Sequence, residues 1–376
     1  MRIIAIDWSG ASDGSSNTWL AEIDSATSQV VRLENGRSRD ALANHLIAEL
    51  GRSRDIVVGI DFAFALPAWF SRARGFADAP ALWNLVANEG ESWLSGCEPP
   101  FWGRPGKKRP EIEEHFRRAD LEVPAVGGIR PKSVFQIGGA GAVGTGSLRG
   151  MPLLERLRNA GFNVWPFDPS EMPMVVEIYP RALTGAVNKG DKDARRAFLE
   201  ECYPKIESTF LNDAVDSEDA FDALVSALVM VENADDFRSL EPARDDVDRL
   251  EGRIWLPKAP RVRVLRPREN RQRRQENGDG VSRGSADVDP VPTISAFYGI
   301  VIYMYADDHA PPHFHAVYGE HQAVVEIESG RIIHGSLPRT AAKLVTQWAE
   351  ENRGSLMENW TLCASMKPPK RIPPLT

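Results

Sequence analysis

Residues 218–228, EDAFDALVSAL, constrain the fold of this chain more than any other stretch. Phe221, Leu224, Val225 and Leu228 recur at helical spacing, which predicts an amphipathic helix with one buried face. Asp219 and Asp222 share a face of it, one turn apart. Ala220, Ala223 and Ala227 keep the helix slim enough to lie close to a sheet. Aspartate is a poor interior helix residue, because its short side chain competes for backbone hydrogen bonds. Two readings of the pair are open. Either the acids complement the helix dipole in a first turn capped by Asp216 or Ser217, or they form a functional pair.

Three apolar runs predict the sheet and bring further acids to it. MRIIAID ends on Asp7, DIVVGID ends on Asp61, and PMVVEIYP carries Glu177 near its end. An acid ending a buried strand is costly unless it is solvated, paired or metal-bound. Taken with the helix pair, these strand ends predict a carboxylate cluster that a divalent cation would hold together. Singly, Asp7 or Asp61 equally well caps the turn that follows it.

Residues 2–7, 18–23 and 29–33 predict a three-stranded meander, followed by a helix over 39–50 and the strand ending at Asp61. This opening resembles that of a ribonuclease H-like sheet, which implies that Asp7 and Asp61 stand on adjacent central strands. This order of three strand acids and a helix acid pair resembles the ribonuclease H-like superfamily, and the helix is similar to the closing helix of RuvC-type resolvases. More closely, IAIDWSGA, VVGIDFAFALP, FQIGGAGAVGTGSLRGMPLLERLR, VEIYPRAL and EDAFDALVSAL resemble the bacterial family catalogued as domain of unknown function 429, over roughly residues 1–260.

The resemblance implies an α/β fold with a ribonuclease H-like mixed sheet flanked by helices. It implies a metal-dependent nuclease, hydrolysing phosphodiesters with two Mg²⁺ or Mn²⁺ ions held by Asp7, Asp61, Asp219 and Asp222. One ion would activate water and the other would stabilise the leaving oxygen, with Glu177 joining or orienting the shell. Asp7, Asp61 and Asp222 are expected to converge in one pocket. The alternative is a non-catalytic ribonuclease H-like module that binds a partner or nucleic acid.

Residues 62–135 read as an insertion covering one edge of that site, with a helix over 79–95. Trp69, Trp83, Trp93 and Trp102 suit either base stacking or packing. Lys107, Lys108, Arg109, Arg130 and Lys132 form a local basic excess, of which Arg130 and Lys132 are candidate phosphate contacts. Gly139, Gly141 and Gly144, with Asp168 further on, imitate a dinucleotide-binding fingerprint. Pro152 in the expected helix and the absence of further βαβ units argue instead for a backbone loop near a phosphate or a tight packing turn.

The net charge of −8 gives no global attraction for nucleic acid, so any such contact needs a local patch. Three cysteines, far apart, predict neither a disulfide framework nor a zinc site, which fits a reducing cytoplasm. No apolar run reaches membrane-spanning length. The chain divides into a ribonuclease H-like domain over 1–262, a disordered Arg-rich linker over 263–292 and a small α+β domain over 293–376.

In that last part, FYGIVIYMYA, HFHAVYG, QAVVEIES and RIIHGSL predict strands, and TAAKLVTQWAEENRGSLMENW one helix or two. YADDHAPPHFHAVYG, the GSLP turn and the Trp- and Asn-bearing helix resemble the family catalogued as domain of unknown function 4160, over 293–375. Its members resemble components of toxin–antitoxin-like gene pairs, which implies an accessory role and a protein partner. His309, His313 and His315 cluster, and the last two share a strand face. Metal binding and contact with a partner or phosphate are both open to them. A contact face predicts that His313→Ala and His315→Ala leave folding nearly intact.

Overall fold

The computed structural model describes residues 1–376 except 113, 127–128, 140, 259–292, 299, 305–310, 319–320, 336, 365–366, 368 and 376. The expected linker, 263–292, and His309 therefore lie outside the described residues.

Among the described residues, six strands form the first sheet: β1 (Arg2–Asp7), β2 (Trp19–Asp24), β3 (Gln29–Glu34), β4 (Ile56–Ile60), β5 (Asn163–Val164) and β6 (Met174–Glu177). Their spatial order is β3-β2-β1-β4-β6-β5, an antiparallel meander continued by parallel strands. β4 is buried along its whole length, as a central strand covered on both faces must be. The sequence places the strands of the meander and the helices Arg39–Glu49 and Ala79–Gly96 to within about a residue.

Register decides which acids can meet. Ile6 pairs with Ile60, and Ile60 with Glu177. Asp7 and Asp61, one step beyond that first pair, leave the sheet on the same side. Glu177 is level with Ile60 and leaves on the other. The two apolar faces follow the same parity. Ile3, Ala5, Val57 and Val176 pack with Phe221, Leu224 and Val225 of the helix Glu218–Glu232. Ile4, Ile6, Val58 and Ile60 pack with Phe64, Trp83 and Leu154 on the other side.

The helix Glu218–Glu232 lies across β1 and β2 as its alanines predict. Gly59 makes room for it. A Cβ there would stand 2.7 Å from Met230 Sδ and 2.9 Å from Ile178 Cγ2. Ser217, not Asp216, is the cap, its hydroxyl accepting the Ala220 N–H at 3.1 Å. Asp216 pairs instead with Lys192.

Among the described residues, much of 62–135 packs onto one face of the sheet. Phe64, Leu66, Phe70, Leu82, Trp83 and Leu94 belong to the sheet's second core, because the helix Ala79–Gly96 packs on the helix Gly144–Asn159. The tryptophans follow the packing reading. Trp83 is fully buried and donates to the Phe64 carbonyl, while Trp69 and Trp93 join Phe70, Phe101 and Phe135 in an aromatic cluster.

The glycine loop is also a packing turn. A Cβ on Gly144 would lie 2.1 Å from the Val134 carbonyl oxygen, and the Trp8 indole donates to the Gly146 carbonyl at 2.9 Å. Asp168 is tied to Arg158 and accepts the Val164 N–H. The objection from Pro152 fails on its own terms, since the helix Gly144–Asn159 runs through it. Pro152 lacks only an N–H, which leaves the Leu148 carbonyl without its helical donor. The short helices Ser208–Asp216 and Asp246–Glu251 were not legible as separate elements.

The C-terminal region has its own antiparallel sheet, made of β7 (Thr293–Phe297), β8 (Ile300–Tyr303), β9 (His313–Tyr318), β10 (His321–Glu326) and β11 (Ile332–Gly335). Its order is β11-β10-β9-β8-β7, each strand beside its neighbour in sequence. The run FYGIVIYMYA is not one strand. Tyr298 takes a left-handed φ of +48°, and the chain turns back there from β7 into β8. The last helical stretch is two helices, Arg339–Glu351 and Arg353–Ala364, with Asn352 between them at φ −115°. Val345 and Trp348 of the first pack on Phe297, Phe314 and Val325.

Candidate functional site

Asp7 at the end of β1, Asp61 just past β4, and Asp219 and Asp222 on the helix Glu218–Glu232 come together on one side of the sheet. Burial, then Asp222, Asp61 and Asp219, push the Asp7 carboxyl far above its usual range. Burial and then Asp222 raise Asp61 to about 8, against the opposing pull of Lys189. Asp222 is raised by burial and by Asp219, again opposed by Lys189. Asp219 is raised by burial, with the Asn17 side chain and Lys189 opposing. The first-turn reading of the helix acids covers Asp219 but not Asp222, which sits a turn deeper and is 8 % exposed.

Four side chains that the sequence did not single out complete the site. Lys189, in the loop between the helices Pro180–Thr184 and Lys192–Cys202, forms an ion pair with Asp222 Oδ2. Asp222 Oδ1 is buried without a hydrogen-bond partner. Tyr179, raised to about 12 by burial and then by Asp61, and Arg181, whose charge acts on Asp222, follow directly from β6. Asn17 reaches Asp219 from the turn before β2. Tyr179 and Arg181 were findable, since EIYPR runs straight off the third acid-bearing strand. Lys189 sits in a polar loop with no pattern to mark it.

Glu177 is held elsewhere. Its carboxylate receives Arg117 Nη1 at 2.8 Å, Arg117 Nη2 at 2.5 Å and the Phe64 N–H at 2.9 Å. Arg117 also binds Asp120 Oδ1 at 2.7 Å and is itself 1 % exposed. Arg130 donates to the Leu121 carbonyl, and Lys132 lies along Gly141. Neither is among the charges that act on the four aspartates.

The donor set is chemically suited to Mg²⁺ or Mn²⁺: hard carboxylate oxygens, crowded, with one buried oxygen lacking any partner. Among the described residues, however, no three His, Cys, Asp or Glu side chains stand in ready-made ligand geometry.

The shifts predict a pH dependence. The folded chain keeps protons on Asp61 and its neighbours that the unfolded chain loses near pH 4, so stability falls as pH rises from about 4 to about 8. Mn²⁺ is expected to raise the melting temperature at pH 8 and far less at pH 5. A melting temperature that climbs with pH across this range without added cation would contradict the cluster.

The C-terminal histidines do not form an open face. His313 and His315 are 3 % and 1 % exposed. His313 bonds to the Pro311 carbonyl at 2.8 Å and packs on Trp360, while His315 stacks on Tyr303 with ring centroids 5.2 Å apart. The expectation of a tolerated substitution is therefore reversed. His313→Ala is expected to cost about 0.5–3 kcal/mol, seen as a lowered denaturation midpoint of the full chain, and an unchanged midpoint would contradict this.

Residues 299–361 match the family model described as Domain of unknown function (DUF4160). This agrees with the resemblance drawn from the C-terminal motifs. The N-terminal resemblance has no family match of this kind and rests on its motifs alone. Neither the curated proteins nor the solved structures include a match to this chain. Among the described residues, no helix is long and apolar enough to cross a membrane.

Proposed function

We propose that the N-terminal region is a ribonuclease H-like, metal-dependent nuclease, and that the C-terminal region is an accessory domain that engages a protein partner. What carries the reading is the joining of Asp7, Asp61, Asp219 and Asp222 into one electrostatic cluster, with Asp222 Oδ1 left unpartnered. The strand order β3-β2-β1-β4-β6 supports it, being the meander plus parallel strands that such a sheet requires.

When bound, divalent cations would neutralise a phosphodiester and lower the pKa of a water. The four aspartates would hold Mg²⁺ or Mn²⁺, and two ions are what the ribonuclease H-like resemblance implies. Asp219, steadied by Asn17, lies at the solvent side of the set, and Asp222 is its buried floor. Glu177 acts from outside, holding the end of β6 against Arg117 and so fixing where Tyr179 and Arg181 emerge.

A second reading has its own support. The Lys189–Asp222 ion pair partly neutralises the acids without any metal, as suits a non-catalytic module that binds a partner or nucleic acid. Cleavage of RNA, DNA and hybrid substrates with Mn²⁺, measured against Asp7→Asn, separates the two.

A further inference from the structure

We propose that Lys189 stands in for one of the two divalent cations, so that the folded site takes a single ion beside a built-in ammonium. This rests on the cation reading above and deepens it.

Three observations carry it. The Lys189 ammonium is paired with Asp222 Oδ2, and Asp222 Oδ1 is left buried and unpartnered. One oxygen of the most buried acid is thus already occupied by a cation, and the other is available to a ligand. Lys189 also acts on Asp7, Asp61 and Asp219, whereas Arg181 acts on Asp222. Its charge therefore acts on all four acids.

The third observation is that its position is built. Arg195, 2 % exposed, gives Nε and Nη2 to the Val215 carbonyl at 3.1 and 2.6 Å and Nη1 to the Lys189 carbonyl. The loop is anchored to the end of the helix Ser208–Asp216, directly before the acid-bearing helix. The Lys189 side chain, 22 % exposed, is not a free surface arm.

An ammonium fixed among carboxylates repels a second dication from the oxygens it touches. It supplies the same sign of charge, without ligand exchange, to a phosphodiester lying across the site. Lys189 is thus a positioning residue for the acids and a fixed positive charge for the substrate.

The test is a count of bound ions on the full chain, by calorimetric titration with Mn²⁺ and by electron paramagnetic resonance of the free ion. One Mn²⁺ per chain is expected for the natural protein and for Lys189→Arg, and two for Lys189→Met. Two ions on the natural protein, or one on Lys189→Met, overturn the role of Lys189 and leave the cation reading standing. No ion bound by any of the three removes both. If Lys189→Met fails to fold, the counts on the natural protein and Lys189→Arg still decide.

Discussion

Replacing Arg117 by alanine is expected to destabilise the N-terminal region by about 3–5 kcal/mol, the usual cost of removing one partner from a buried ion pair. Arg117 is 1 % exposed and bridges Asp120 and Glu177, which are 4 % and 3 % exposed at their side chains. Its loss leaves two carboxylates facing each other in the core, with only backbone donors such as the Phe64 N–H to hold Glu177. Protonation of Glu177, whose pKa burial already raises, recovers part of that cost at low pH. Arg117→Lys restores the charge but not the planar fork that reaches both acids, so it rescues only partly. Chemical denaturation of the natural and variant proteins measures the difference. A loss below about 1 kcal/mol would mean that the network is not a structural clamp.

The same residues show how far the sequence could be read. Asp7, Asp61, Asp219 and Asp222 were legible because strand ends and helix faces follow from period-two and period-3.6 patterns, and such patterns survive without tertiary knowledge. Glu177 followed the same rule and yet belongs to another network. The register Ile60 to Glu177 puts it on the opposite side of the sheet from Asp61, and register is invisible in a single strand's sequence. Arg117 was missed for a related reason. An arginine in a polar stretch reads as solvated until its partner is known to lie beneath it.

The C-terminal histidines mark a second limit. Alternation in HFHAVY correctly puts His313 and His315 on one face, but cannot say that Trp360 and Tyr303 cover them. The hairpin at Tyr298 was hidden because an apolar run on both sides of a turn looks like one long strand. Of the two readings open for the glycine loop, the structure shows close packing at Gly144 and Gly146, and the objection to a helix drawn from Pro152 was wrong, since Pro152 is tolerated inside it.

The largest expected effect is on catalysis. Asp7 ends the central strand β1, and Asp222, Asp61 and Asp219 all act on it. Asn in its place keeps the shape but removes a charge and one of the oxygens that would hold the ion. Since a bound cation lowers a phosphoryl-transfer barrier by several kcal/mol, its loss should lower the rate on the order of 10²-fold or more. Melting temperature without metal should hold or rise, because Asn is neutral already and spares the folded chain the cost of burying and protonating Asp7. This opposite movement of stability and activity distinguishes a functional acid from a structural one.

The direct measurement is Mn²⁺-dependent cleavage of end-labelled RNA, DNA and RNA–DNA hybrid by the purified chain and by Asp7→Asn side by side. The account predicts products from at least one substrate that need Mn²⁺ and vanish in the variant. Cleavage of no substrate above the Asp7→Asn background, by a folded protein that binds Mn²⁺, would contradict it.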